Sequence, residues 1–214
     1  MSWKNYLKVK YYRNEFIITI AISFLVLFAF TVFLNYNEDR VGTELADPVL
    51  QLFFPVDLTW LTFTLIYLSL LLAIVGLIKS PARLVFTIQA YILLLLVRMV
   101  MMFLIPLNPP AEMIPLNDPF VQNFSSGRIL TKDLFFSGHT ATIFLLFLTS
   151  GGKAFKIFFL SATILVGACL LLQHVHYTID VISAPFFGYL CYRFIYRVQK
   201  KTALMTGNNN GKIY

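Results

Sequence analysis

Six apolar stretches divide the chain, at residues 16–34, 58–78, 84–105, 134–150, 155–173 and 179–197. Each is close to the ~20 residues an α-helix needs to cross the hydrocarbon core of a bilayer. Lipid offers no hydrogen-bond partner to an open peptide group, so such segments cross as helices or as members of a closed barrel. Stretches of this length are too long for barrel strands. The pattern therefore predicts an all-α, polytopic membrane protein with six transmembrane helices. Composition agrees: 58% of the residues are hydrophobic and 13% charged, where soluble domains carry about 25% charged residues.

The fourth stretch is the weakest. Its strictly apolar part covers only Ala141–Thr149, so a spanning helix has to extend back through Ser137–Thr140. At ~1.5 Å per residue, 134–150 then covers about 25 Å, and His139 falls in the first turns of a membrane helix.

Lysine and arginine set the expected orientation. With the N-terminus inside, the cytoplasmic segments carry Lys4, Lys8, Lys10, Arg13, Lys79, Arg83, Lys153, Lys156, Arg193, Arg197, Lys200, Lys201 and Lys212. The outer segments carry Arg40, Arg128 and Lys132, and Arg98 lies within the third span. This bias predicts cytoplasmic N- and C-termini. It also accounts for the net charge of +7 without a nucleic-acid partner, because no basic run is present. The first apolar run lacks a small-residue cleavage site, so it is expected to remain as a span. The expected organisation is a cytoplasmic interfacial segment at 1–15, a six-helix membrane catalytic domain at 16–198 and a disordered cytoplasmic tail at 199–214. In the first segment, Trp3, Tyr6, Tyr11 and Tyr12 alternate with basic residues, a pattern that marks topology or binds acidic lipid.

Two outer loops stand out. Loop 35–57 is acidic and ends in the apolar piece Val49–Pro55, expected to dip into the membrane surface. Loop 106–133 holds Pro106, Pro109, Pro110, Pro115 and Pro119, which exclude a helix and favour an extended connector, lid or wall. Cys169 and Cys191 lie inside apolar spans and read as buried packing residues, with no disulfide and no metal role.

The chemistry-bearing residues converge on the outer side. His139 opens span four, His176 closes span five and Asp180 opens span six. Ionisable groups at membrane depth are costly unless they face a cavity or each other. A carboxylate beside an imidazole fixes its tautomer and raises the basicity of its other nitrogen. Asp180 would do this for His176 as nucleophile, with His139 as proton donor and acceptor. Such a pair suits phosphoryl transfer through a phosphohistidine. Ser137, Gly138 and the amides opening span four would receive the phosphate, and Arg98, Arg128 and Lys132 are the available cations. His174 lies two residues from His176 and would point elsewhere on a helix. A metal site from His139, His174, His176 and Asp180 has no familiar ligand spacing, and Ser137 lacks a nucleophile-elbow pattern.

At these residues the chain resembles the type-2 phosphatidate phosphatase superfamily, specifically its sphingomyelin-synthase-like branch. The resemblance rests on Phe136-Ser137-Gly138-His139-Thr140 and His176-Tyr177-Thr178-Ile179-Asp180-Val181. It implies six membrane helices, an outward-facing site and a triad of His139, His176 and Asp180 with His176 as nucleophile. Arg98 followed by Pro106–Pro110 also resembles the branch's arginine-to-proline segment. The broader superfamily's Lys-x6-Arg-Pro pattern is absent, and Cys169-Leu170 stands where its Ser-Arg pair would be. Tyr177 joins the candidate substrate-binding residues through this motif. The expectation is a membrane lipid phosphotransferase without cofactor, moving a phospho-head group from a phospholipid to a ceramide-like alcohol or diacylglycerol. A lipid phosphatase or phospholipase C-like hydrolase, and a non-catalytic ligand-binding protein or transporter, are the alternatives. The expected location is a plasma (inner) membrane with the site facing the periplasm or exterior, or a lumenal membrane.

Overall fold

A computed structural model describes residues 2–117 and 129–205. Among these residues the chain forms seven α-helices: α1 (Trp3–Lys8), α2 (Lys10–Glu38), α3 (Thr59–Leu77), α4 (Pro81–Leu104), α5 (Gly138–Thr149), α6 (Lys153–Leu172) and α7 (Thr178–Met205). No strand occurs among them; one isolated bridge pairs Thr43 with Leu107. Four helices, α2, α3, α4 and α6, are long and apolar enough to cross a membrane. Helix α7 spans 28 residues, but its second half is polar and basic.

Helix α5 is shorter than the sequence suggests. It has 12 residues, about 18 Å at 1.5 Å per residue, because Leu134–Phe136 stay outside the helix and Ser137 caps it. The Ser137 hydroxyl accepts the Thr140 N–H at 3.4 Å, so the serine expected inside the helix is its N-cap. The helix boundaries at the two termini also differ from the sequence reading. Helix α2 begins at Lys10 rather than 16, and α7 continues to Met205, beyond the 198/199 boundary.

Helix α5 sits at the centre. On one side Ile143 and Leu146 join Ala73 and Leu77 of α3 and Phe159, Ala162, Val166 and Leu170 of α6. On the other, Ala141 and Leu145 join Phe86, Ala90 and Leu94 of α4 and Ala184 and Cys191 of α7. Lipid is as apolar as leucine, so helices in a membrane associate through close packing at small residues. A Cβ on Gly188 would lie 3.4 Å from the Ala141 carbonyl, and one on Gly167 2.9 Å from Val181. These two glycines set the close approach of α7 to α5 and α6. Helix α2 lies at the periphery and packs on α4 through Val26, Ile92 and Leu95. Its Phe24, Leu25 and Phe28 are exposed, a continuous apolar face suited to lipid.

The helix ends gather at two faces. One holds the starts of α2 and α4 and the end of α7, joined by Gln89 to Glu15 and by Gln199 to Gln89. The other holds the end of α2, the starts of α3, α5 and α7, and the ends of α4 and α6. There the two loops pair: the Thr43 N–H donates to the Pro106 carbonyl and the Asn108 N–H to the Thr43 carbonyl, each at 3.0 Å. Gly42 permits this contact, since a Cβ there would lie 2.5 Å from the Leu107 carbonyl carbon. In the expected surface-dipping piece, Leu50 is buried while Leu52 and Phe54 are exposed.

Candidate active site

The end of α6 prepares the first half of the site. The His174 N–H donates to the Leu171 carbonyl and the Val175 N–H to the Leu170 carbonyl, each at 2.9 Å, with His174 at φ 55°. This is the Schellman stop of a helix, with a histidine in the left-handed position that glycine usually takes. It reverses the chain so that residues 173–177 cross to α7. Gln173, fully buried, ties this crossing to the loops. Its Oε1 accepts the Leu58 N–H at 3.1 Å, and its Nε2 donates to Thr59 Oγ1 at 2.9 Å and to the Ile114 carbonyl at 3.2 Å.

Asp180 occupies the first turn of α7 with 0% exposure. Its Oδ2 lies 3.2 Å from His176 Nδ1 and accepts the Tyr177 N–H at 3.2 Å. The second contact is the acidic half of a capping box, reaching back to the residue before the helix. One oxygen thus caps α7 and orients the His176 ring. His176 is not helical, so the pair meets by this reach-back and not across a continuous helix face. Among the described residues Asp180 Oδ1 and His174 Nε2, both buried, have no hydrogen-bond partner.

Helix α5 meets α7 through its backbone: the Ser137 N–H donates to the Asp180 carbonyl at 3.1 Å. His139 follows in the first turn of α5, with its ring edge-on to Phe63 of α3 at 6.5 Å between centroids. The start of α5 is also where Arg98 arrives. Its guanidinium lies directly against Gly138, so that an added Cβ would be 3.0 Å from Nη2 and closer still to Nη1 and Cζ. Its Nε donates to the Phe136 carbonyl at 3.2 Å, and its Nη2 pairs with Asp133 Oδ1 at 2.7 Å. The rings of Phe30 and Phe136 lie 5.4 and 6.0 Å from its Cζ, close enough for cation–π attraction. Arg98 is 4% exposed and does not snorkel to the surface.

The other expected cations and donors are placed differently. Lys132 sends its ammonium to the Arg40 carbonyl at 2.6 Å, while its N–H donates to Glu38 at 2.9 Å. It secures the loop to the end of α2, and none of its hydrogen bonds joins the histidines. The Tyr177 hydroxyl donates to the Asn108 carbonyl at 3.0 Å and accepts the Leu45 N–H at 3.2 Å. It joins both loops. Arg128 and Pro119 lie outside the described residues.

Two acids that the sequence reading passed over are prominent. Asp133 pairs with Arg98. Asp47 accepts the Thr178 N–H at 2.6 Å and its hydroxyl at 3.1 Å, completing the cap of α7. Burial opposes ionisation of Asp47, but these bonds and the Val49 and Leu50 N–H groups outweigh it and hold the carboxyl below its ordinary value. The only sequence signal for Asp133 was its place four residues before Ser137; Asp47 had none beyond an acidic loop. Among the described residues no group of three or more His, Cys, Asp or Glu side chains is gathered as a metal ion would require.

No curated protein and no solved structure matches the chain. Residues 132–198, less than half of the chain, match the family model described as PAP2 superfamily C-terminal. The matched stretch begins beside Asp133 and takes in α5, α6, the crossing 173–177 and most of α7. It supports the type-2 phosphatidate phosphatase superfamily, a family of membrane lipid phosphatases and phosphotransferases, as the group to which this part of the chain is similar.

Proposed function

We propose that this chain is a membrane-embedded lipid phosphotransferase of the sphingomyelin-synthase-like type, working through a phosphohistidine on His176. The observation that carries the reading is the buried contact between His176 Nδ1 and Asp180 Oδ2 at 3.2 Å. A buried carboxylate on one ring nitrogen leaves the other, Nε2, as the nucleophile and stabilises the imidazolium that forms. The match over residues 132–198 supports the same class of chemistry.

In the proposed reaction His176 Nε2 attacks the head-group phosphorus of a phospholipid. The bond from phosphorus to the diacylglycerol oxygen breaks, and His139 gives that oxygen its proton. A second lipid alcohol, ceramide-like or diacylglycerol, then loses its proton to His139 and attacks the phosphohistidine, which frees His176. The Ser137–Gly138 turn at the start of α5 receives the equatorial phosphate oxygens, with the Ser137 and Thr140 N–H groups already committed to the Asp180 carbonyl and the Ser137 hydroxyl. Arg98, lying against Gly138, supplies positive charge at the start of α5. The short α5 and the long α7 complete six crossings, with both termini cytoplasmic and the site on the outer face.

The matched family also favours a second reading, in which water replaces the lipid acceptor and the protein is a phosphatase or phospholipase C-like hydrolase. One assay separates the two. Phospholipids labelled in the phosphate are given to purified protein in detergent–lipid micelles, with and without ceramide or diacylglycerol, beside His176→Ala. Label in a new lipid, lost in the variant, identifies a transferase and its acceptor. Label released only to water identifies a hydrolase. No label movement with any donor refutes both and leaves a ligand-binding or transport role.

A further inference from the structure

We propose that Asp133 is an internal competitor for phosphate: its carboxylate occupies the Arg98 guanidinium until a tetrahedral oxyanion displaces it. This rests on the reading of the site as a phosphoryl-transfer centre.

The two partners of this ion pair are held very differently. Arg98 is fixed on every side described: Gly138 backbone against Nη1 and Cζ, the Phe136 carbonyl on Nε at 3.2 Å, and the rings of Phe30 and Phe136 beside Cζ. Its side chain is 5% exposed, whereas that of Asp133 is 28% exposed. The cation therefore stays in place while the carboxylate can turn towards solvent. The bond between them is single, from Nη2 to Oδ1 at 2.7 Å, although a guanidinium can present two parallel donors to an oxyanion.

A buried guanidinium needs an anion beside it, since an uncompensated charge in an apolar setting is strongly unfavourable. In the free protein that anion is Asp133. A phosphate bound at the start of α5 would lie beside the same guanidinium and beside the amides of a helix N-terminus. A phosphodiester matches the carboxylate in charge and adds the helix amides as partners, while inorganic phosphate, or the transition state of transfer with its three equatorial oxygens, brings up to twice the charge, so either can replace the carboxylate without leaving Arg98 unpaired. Asp133 would then lower affinity for every oxyanion while keeping Arg98 oriented for the one that enters. Its role is to position and to set affinity, not to touch the reacting atoms.

The test is binding of inorganic phosphate and of orthovanadate to the full chain in detergent–lipid micelles. Affinity is read from the rise in unfolding temperature with anion concentration. Wild type, Asp133→Asn, Arg98→Gln and the double variant form a cycle. Asp133→Asn should bind both anions about tenfold more tightly, the scale of one charge-assisted hydrogen bond. That gain should vanish when Arg98 is Gln, which a purely structural role for Asp133 would not produce. Asp133→Ser, smaller and also neutral, should give the same gain and stands in if the Asn variant does not fold. Unchanged or weaker binding in the neutral variants, with wild-type binding and His176-dependent label transfer intact, overturns the competitor role alone. If no form binds either anion and no label moves, the phosphoryl-transfer reading falls with it.

Discussion

Gly138→Ala tests how tightly the start of α5 is built around Arg98. An added methyl group would lie inside the van der Waals radius of Nη1 and Cζ and 3.0 Å from Nη2. An arginine terminus can usually move aside, but this one is nearly fully buried and engaged. To move, it must stretch or break the bonds from Nε to the Phe136 carbonyl and from Nη2 to Asp133. Hydrogen bonds to charged groups contribute about 1.5–3 kcal/mol each. Partial retention of the contact with the partly exposed Asp133 brings the expected loss to about 3 kcal/mol. In an Arg98→Ala background the obstacle is gone, and alanine is the better helix former by up to about 1 kcal/mol. Gly138→Ala should then be neutral or slightly stabilising, giving a coupling of about 3 kcal/mol between the two sites. The assay is unfolding in micelles, followed by fluorescence of Trp3 and Trp60, for wild type, both single variants and the double. Equal destabilisation by Gly138→Ala in both backgrounds would refute the argument that the guanidinium is what demands glycine.

Asp180→Asn should preserve the reach-back cap to Tyr177 yet lower turnover by on the order of 10²–10⁴-fold, the scale of a lost tautomer-fixing carboxylate and general base; activity within a few-fold of wild type would remove Asp180 from the mechanism. Tyr177→Phe abandons the Leu45 N–H and the Asn108 carbonyl together, and should cost about 1–3 kcal/mol in unfolding measurements while leaving anion affinity unchanged; a selective loss of anion binding would restore the tyrosine to the phosphate site. Asp47→Asn tests the α7 cap through pH. Because the folded carboxyl is held below its ordinary value, its contribution is complete above the unfolded carboxylate pKa of about 4 and is lost as pH falls through the depressed folded value. The gap in unfolding temperature between wild type and Asp47→Asn should be constant from neutral pH down to the ordinary carboxylate range and close only in stronger acid. A gap that closes near neutrality would show that another group controls it.

The candidate residues stand out in the sequence because they are marked by residue type and short spacing. His176 and Asp180 lie four apart at the junction of two apolar runs, and Ser137-Gly138-His139 opens another. Costly polar groups at span edges announce themselves in any hydropathy pattern. The partners of the cations were not legible. Placement inside a span and the arginine-to-proline resemblance favour Arg98, whereas Arg128 and Lys132 read as loop charges, but a long side chain can serve partners tens of residues away, so spacing alone names no partner. The fold committed Lys132 to Arg40 and Glu38 and brought Arg98 against Gly138. The motif offers Tyr177 as a substrate residue, and only the fold shows that its hydroxyl bonds Asn108 and Leu45.

The sequence by itself determined the helical membrane architecture, because runs of about twenty apolar residues can satisfy their backbone in lipid only within themselves. It also determined which residues carry titratable chemistry at one end of those runs. Only the tertiary structure decided where α5 begins, since Ser137 caps the helix while its N–H is taken by the Asp180 carbonyl of α7. The tertiary structure likewise decided that Asp133 is the partner of Arg98. Helix formation is written in local spacing, whereas the pairing of buried charges depends on which helices pack together and at what depth.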